Sequence, residues 1–171
     1  APWELLTDLA AMDRFGGHPG ERRAAERVRE ALEAAGLDAR IEPFEMQRWT
    51  RGGTTLAVGT EPAREFEAVA LPYSPPTEVT APLADAGYGT PEDCEGLAGA
   101  VAIVSTATPP EADRHVHRME KCGHAADAGA RAVVFASDRP GQLPPTGALR
   151  FGEEADTPAV GVSHETGEWL R

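Results

Sequence analysis

The stretch KCGHAADAGARAVVF, residues 121–135, opens with Lys121, Cys122 and His124 close together and ends in an apolar run. Its beginning suits a metal site or an activated thiol. Its end suits a helix that feeds a buried strand. Drawn as a helix with the residues before it, RHVHRMEKCGHAADAGA places Met119, Cys122, Ala125, Ala126 and Gly129 on one face. His117, Lys121, His124 and Ala128 fall on the neighbouring face. Cys122 then lies on the apolar side, where a free cysteine behaves as a small hydrophobe.

Zinc asks for three or four ligands converging at about 2 Å. His117 and His124 share a helix face but stand two turns, about 10 Å, apart, too far for one ion. His115 and His117 diverge on a helix and face the same way only if residues 114–117 are extended. The spacing therefore favours a core helix over residues 114–128. A small metal site built from His115, His117 and Cys122 is the alternative. Ala125, Ala128, Gly129 and Ala130 are small enough to let such a helix lie close on a sheet, with RAVVFAS (131–137) as the buried strand that follows.

Working outward, PWELLTDLAAMD (2–13) sets Leu5, Leu6, Leu9 and Met12 at helical spacing. After the break RFGGHPG, a second helix is predicted over 20–35, its stripe made by Ala24, Ala25, Val28, Leu32 and Ala35, with Gly36 as its terminator. DARIEPFEMQRW reads as extended. From about residue 53 prolines and glycines multiply, and short strands are predicted at 54–58, 65–71, 78–84, 99–105 and 158–163. Short strands with one embedded helix make a compact α/β (α+β) module.

The bulk chemistry narrows the function. A formal charge of −12 excludes a phosphate-rich partner, because nucleic-acid binding needs a basic surface. No apolar run is long enough to span a membrane. Neither H-E-x-x-H, C-x-x-C nor G-x-S-x-G occurs. Glu153, Glu154 and Asp156 read as a solvated acidic loop, since calcium needs six or more converging oxygens. Cys94 and Cys122 allow at most one internal disulfide, which geometry decides.

Three blocks in order resemble the protease-associated (PA) domain. In SPPTEVTAPLADAGYGTPEDCEGLAGAVAIVS, Asp85, Gly87 and Gly89 match its small-residue turn, followed by Asp93, Gly99 and the apolar strand Val101–Val104. KCGHAADAGARAVVF is similar to its lysine–small–alanine helix through Lys121, Ala125, Gly129 and Ala130. TPAVGVSHETGEWL is similar to its closing strand and helix, through Pro158, Val160, Ser163, Gly167 and Leu170. Gly99–Ala100 stands where the family has glycine–lysine, and the family's R–G after that strand is missing. Residues 3–49 resemble the start of di-zinc aminopeptidases and carboxypeptidases of the glutamate-carboxypeptidase and transferrin-receptor type, in which a PA domain is inserted.

These resemblances imply residues 1–52 as an incomplete N-terminal helical edge of a zinc-peptidase domain and 53–171 as a PA β-sandwich or barrel-like module, with its core match at 66–171. The family's metal ligands and catalytic glutamate come after the insertion. His124 and Asp127 are one residue too far apart for its H-x-D pair, so no catalytic or metal-binding residue is assigned in this chain. The expected role is a non-catalytic accessory module that gates substrate or contacts proteins, in a secreted or cell-envelope exopeptidase whose two zinc ions are held elsewhere. A free-standing peptide- or protein-binding module is the rival reading. The expected partners are the remainder of the peptidase, a peptide or protein substrate and, through the apolar stripe at 20–35, a second copy.

Overall fold

A computed structural model describes residues 2–59 and 61–171. The chain divides into two compact units, one running to Thr50 and the other Arg51–Arg171.

The first unit is a helical pair. Helix α1 (Pro2–Ala10) and helix α2 (Pro19–Ala34) are tied by the Arg27 guanidinium, which donates to Asp8 Oδ2 at 2.8 Å. Proline at the first position of each helix costs nothing, because that N–H has no intrahelical acceptor. After α2 the chain runs without regular structure from Asp38 to Thr50, and the His18 ring Nε2 lies 3.1 Å from the Trp49 carbonyl. Of the predicted stripe on α2 only Ala24 is buried; Leu32, and beyond the helix Leu37, Phe44 and Met46, are exposed.

The second unit is built on a five-stranded sheet. Strands β4 (Leu83–Asp85), β5 (Val101–Ser105), β6 (Ala132–Ala136) and β7 (Ala159–Val162) run parallel, and the short β3 (Val69–Ala70) closes one edge antiparallel to β7, giving the order β3-β7-β6-β5-β4. A parallel sheet needs cover on both faces, and the side-chain alternation supplies two cores. Ala102, Val104, Val133, Phe135 and Ala159 point to one face, where Cys122 and Ala125 of helix α3 (Arg118–Asp127) pack on them. Ile103, Val134, Ala136 and Val162 point to the other, under Leu170 of helix α4 (His164–Leu170) and the hairpin of β1 (Leu56–Val58) and β2 (Arg64–Phe66). Arg64 lies over both the Phe66 and Trp169 rings, at 5.0 and 4.5 Å.

Helix α3 ends as the sequence requires. Gly129 takes φ +81°, so Ala130 N–H reaches the Ala125 carbonyl and Gly129 N–H the Ala126 carbonyl, a paired closure that only a residue free of Cβ strain makes cheaply. Arg131 N–H then bonds Ala100 O and the chain enters β6.

Several element boundaries differ from expectation, and three of the differences have a clear physical cause. The helix begins at Arg118 rather than 114, because His117, in extended conformation, caps it, and residues 113–117 carry no helix. The predicted strand 65–71 divides between two sheets, Phe66 pairing with Leu56 and Val69 with Gly161. The strand predicted at 78–84 is confined to Leu83–Asp85, the part with a ladder partner in β5.

Gly89 marks the close approach of a turn to helix α3 and strand β5. It sits at φ +72°, and a Cβ there would stand 2.7 Å from Val104 Cγ1 and 3.1 Å from Lys121 Cβ. Gly96 has a similar φ of +80° with nothing within 4 Å. Gly89→Ala is expected to destabilise the chain by about 2–5 kcal/mol in urea titration, strain plus overpacking. Gly96→Ala should cost about 1–2 kcal/mol, strain alone. Equal costs would contradict this packing.

Candidate functional site

The polar side chains that the sequence singled out gather where the parallel strands end, around the connection from β5 to α3. Lys121 is the chain's sole lysine and is fully buried. Its stem passes over Gly89, and its Nζ donates to the Ser105 carbonyl at 2.8 Å and to the Ala107 carbonyl. Burial pulls the ammonium below its ordinary pKa, while the carboxylates of Asp138 and Asp93 oppose that shift. Asp138 is itself fixed by Thr106, whose Oγ1 donates to Asp138 Oδ1 at 2.8 Å and accepts from the Asp138 N–H. Lys121 is therefore a clamp that ties helix α3 to the start of the 106–117 loop.

The far end of that loop is held by a capping box. His117 Nδ1 accepts from Met119 N–H at 3.2 Å, and Glu120 Oε1 accepts from His117 N–H at 3.1 Å. Arg114 donates to both Glu120 oxygens, and this pairing, with the backbone bond, lowers the Glu120 carboxyl to about 2. The His117 imidazole is pulled below its ordinary value, first by partial burial and then by Arg118 and His115. The His115 ring lies edge-on to His117 at 6.1 Å, its Nδ1 2.9 Å from Thr108 Oγ1, which also accepts from Val116 N–H.

His117 itself is extended while Arg114 lies at a bend, and the His115 and His117 rings stand 6.1 Å apart. The third member of the alternative metal set does not join them. Cys122 turns into the core and donates through Sγ to the Thr157 carbonyl at 3.8 Å, and His117 Nδ1 is already spent on the helix cap. No cluster of three or more His, Cys, Asp or Glu side chains suited to a metal ion occurs among the described residues. The activated-thiol reading fails on the same burial, which pushes the Cys122 thiol up to about 11. Cys94 is also buried, and both cysteines are free. In the acidic loop, Glu153 and Asp156 are held by Arg150 at 3.4 and 3.0 Å. His124 Nδ1 lies 2.9 Å from the Gly89 carbonyl.

What this arrangement does chemically is order a loop. It brings together a buried cation, two backbone carbonyls and an imidazole acceptor, and none of these is an activated nucleophile. The clamp was hidden from the sequence because helical periodicity set Lys121 on the polar flank. The cap was hidden because histidine is not among the residues that usually close a helix.

Known families fit this geometry. The PA domain family matches residues 79–170, which hold the Gly89 turn, the buried lysine and the closing helix α4. The chain belongs to the PA domain family. Solved structures extend the likeness beyond those residues. The zinc aminopeptidase BSAP from Bacillus subtilis is 27% identical with a TM-score of 0.73, over 98% of this chain and 38% of that one. The aminopeptidase from Aneurinibacillus sp. strain AM-1 is 27% identical with a TM-score of 0.69, over 98% of this chain and 39% of that one. The PA-domain chain therefore spans about two-fifths of the length of the aminopeptidases it resembles. No curated protein sequence matches it.

Removing the clamp should be costly. Lys121→Met keeps the stem but leaves the Ser105 and Ala107 carbonyls without this donor, an expected loss of about 1–3 kcal/mol in chemical denaturation. Lys121→Ala should lose a further 1–3 kcal/mol, roughly, through the cavity beside Gly89. A Met variant as stable as the parent would mean that the cost of burying the charge outweighs its hydrogen bonds.

Proposed function

We propose that this chain is the non-catalytic PA-bearing part of a zinc-dependent exopeptidase, and that it shapes the approach of peptide substrates to a catalytic domain formed by other residues. The observation that carries the reading is the reach of the likeness. It covers 98% of the chain, so it takes in the helical unit as well as the PA match at 79–170, and it amounts to 38% of the aminopeptidase. A module working alone has no need of the α1–α2 unit.

The residues present do not fit a di-zinc centre, since no metal-suited cluster exists among those described. Two-metal hydrolysis needs ions to generate hydroxide and polarise the scissile carbonyl, so no step of it is assigned to this chain. The two zinc ions of the parent belong to its remaining residues.

The first unit supports the same view of the partner. Leu32, Leu37, Phe44 and Met46 are all exposed, and a groove of about 520 Å³ opens between α2 and residues 41–48. Apolar surface of this kind is the mark of an interface, and the proposed occupant is the remainder of the peptidase domain. On the PA unit, Leu143 and Phe151 stand 74% and 76% exposed in a Pro/Gly-rich connection, the kind of loop that carries contacts to substrates.

Two measurements test the proposal. The isolated chain supplied with zinc should release no amine from aminoacyl anilides and retain no stoichiometric zinc after dialysis; turnover would overturn the reading. In the polypeptide that joins this chain to a di-zinc domain, Leu143→Ser with Phe151→Ser should change kcat/KM for longer peptides while leaving aminoacyl anilides unaffected. An equal effect on both substrates, or none on either, would contradict a role in substrate access.

A further inference from the structure

The 106–117 loop is fastened at two points of different chemistry, and one of them loses its acceptor on protonation. At the Lys121 end the fastener is a cation on backbone carbonyls, which acid does not remove. At the other end it is an imidazole acting as an acceptor. Ser, Thr, Asp and Asn ordinarily fill the N-cap position, and none of them loses its acceptor near neutral pH. His117 does, because a protonated ring has two donors and no acceptor lone pair.

We propose that His117 is an acid-sensitive latch, whose neutral ring closes helix α3 and helps hold the 106–117 loop, and whose protonation opens that half of the cap and loosens the loop while the sheet stays folded. The charge would arise in an unfavourable place. It would face the Met119 N–H and the positive end of the α3 dipole, with Arg118 next in sequence and His115 edge-on at 6.1 Å. Glu120, on the helix, is the facing group among the described residues that would attract it, and that carboxylate is already held by Arg114 through two hydrogen bonds. From the loop side the ring faces His115, itself tied to Thr108.

The two halves of the capping box therefore fail at different acidities. Glu120 keeps its charge down to about 2, so the imidazole half opens first. The sign follows from the direction of the His117 shift. A folded-state pKa below the unfolded value near 6.5 contributes stability that is present above that value and is lost as pH falls through the folded one. Loosening of the loop belongs to that window.

The test is a histidine titration by NMR on the full chain, read together with hydrogen exchange corrected for its intrinsic pH dependence. Protection of Met119 N–H and Val116 N–H should fall roughly 5- to 30-fold, the worth of a helix cap, with a midpoint equal to the ring titration of His117. The amides of Val133 and Phe135 should not respond. His117→Asn keeps an acceptor that does not titrate and should abolish the fall, whereas His115→Gln should retain it. If the Asn variant does not fold, His117→Asp supplies the same non-titrating cap over this range. Met119 protection that ignores the His117 midpoint, or a variant capped by Asn or Asp that still shows the fall, would overturn the proposal.

Discussion

An ammonium group with no exposed surface must be satisfied by its surroundings, and Lys121 is satisfied by the carbonyls of Ser105 and Ala107. Both acceptors lie where β5 ends and the next loop begins, so one side chain of α3 fixes strand, loop and helix together. The arrangement works only because the helix lies close. Ala125 is fully buried against the sheet, and Gly89 offers no Cβ to the lysine stem, so a larger residue at either place would lift the cation away from its acceptors. The cost of burying a charge is met here by hydrogen bonds rather than by a direct carboxylate partner, with Asp138 and Asp93 helping only through their field.

From that clamp the rest of the PA unit follows in layers. The face of the sheet under α3 is made by Val104, Val133 and Phe135, and the opposite face by Ile103, Val134 and Val162 under α4 and the β1–β2 hairpin. Strand alternation divides the apolar residues between two cores, which is how a sheet of short parallel strands is covered on both sides. The loops at the ends of these strands then carry the distinctive chemistry. The sheet is thus the rigid part and its edges the adaptable part.

Much of this was legible in the sequence. Ala125, Gly129 and Ala130 announced a helix packed close to a sheet, and Val133 and Phe135 its buried strand. The apolar strand predicted at 99–105 and the strand at 158–163 stood out in the same way, whereas the closing helix was implied only by the resemblance to the PA domain. What periodicity could not convey was which groups meet across long separations. The burial of Lys121 depends on residues 105–107 folding over it, and a helical wheel contains no information about them. His117 continues the helical pattern, so periodicity alone does not show that it caps helix α3 instead of lying within it. The strand predicted over 65–71 was one run of alternating residues whose two ends pair with different sheets, a distinction that depends on partners rather than pattern.

Because Lys121 is the chain's one lysine, its side-chain nitrogen can be observed without assignment ambiguity. In a sample labelled with 15N at lysine Nζ, the account predicts a resolved ammonium signal near neutral pH whose protons exchange slowly with water, with through-bond couplings to the Ser105 and Ala107 carbonyl carbons. An ammonium exchanging at the rate of a solvated lysine, with no coupling to either carbonyl, would contradict the clamp on which this description of the fold rests.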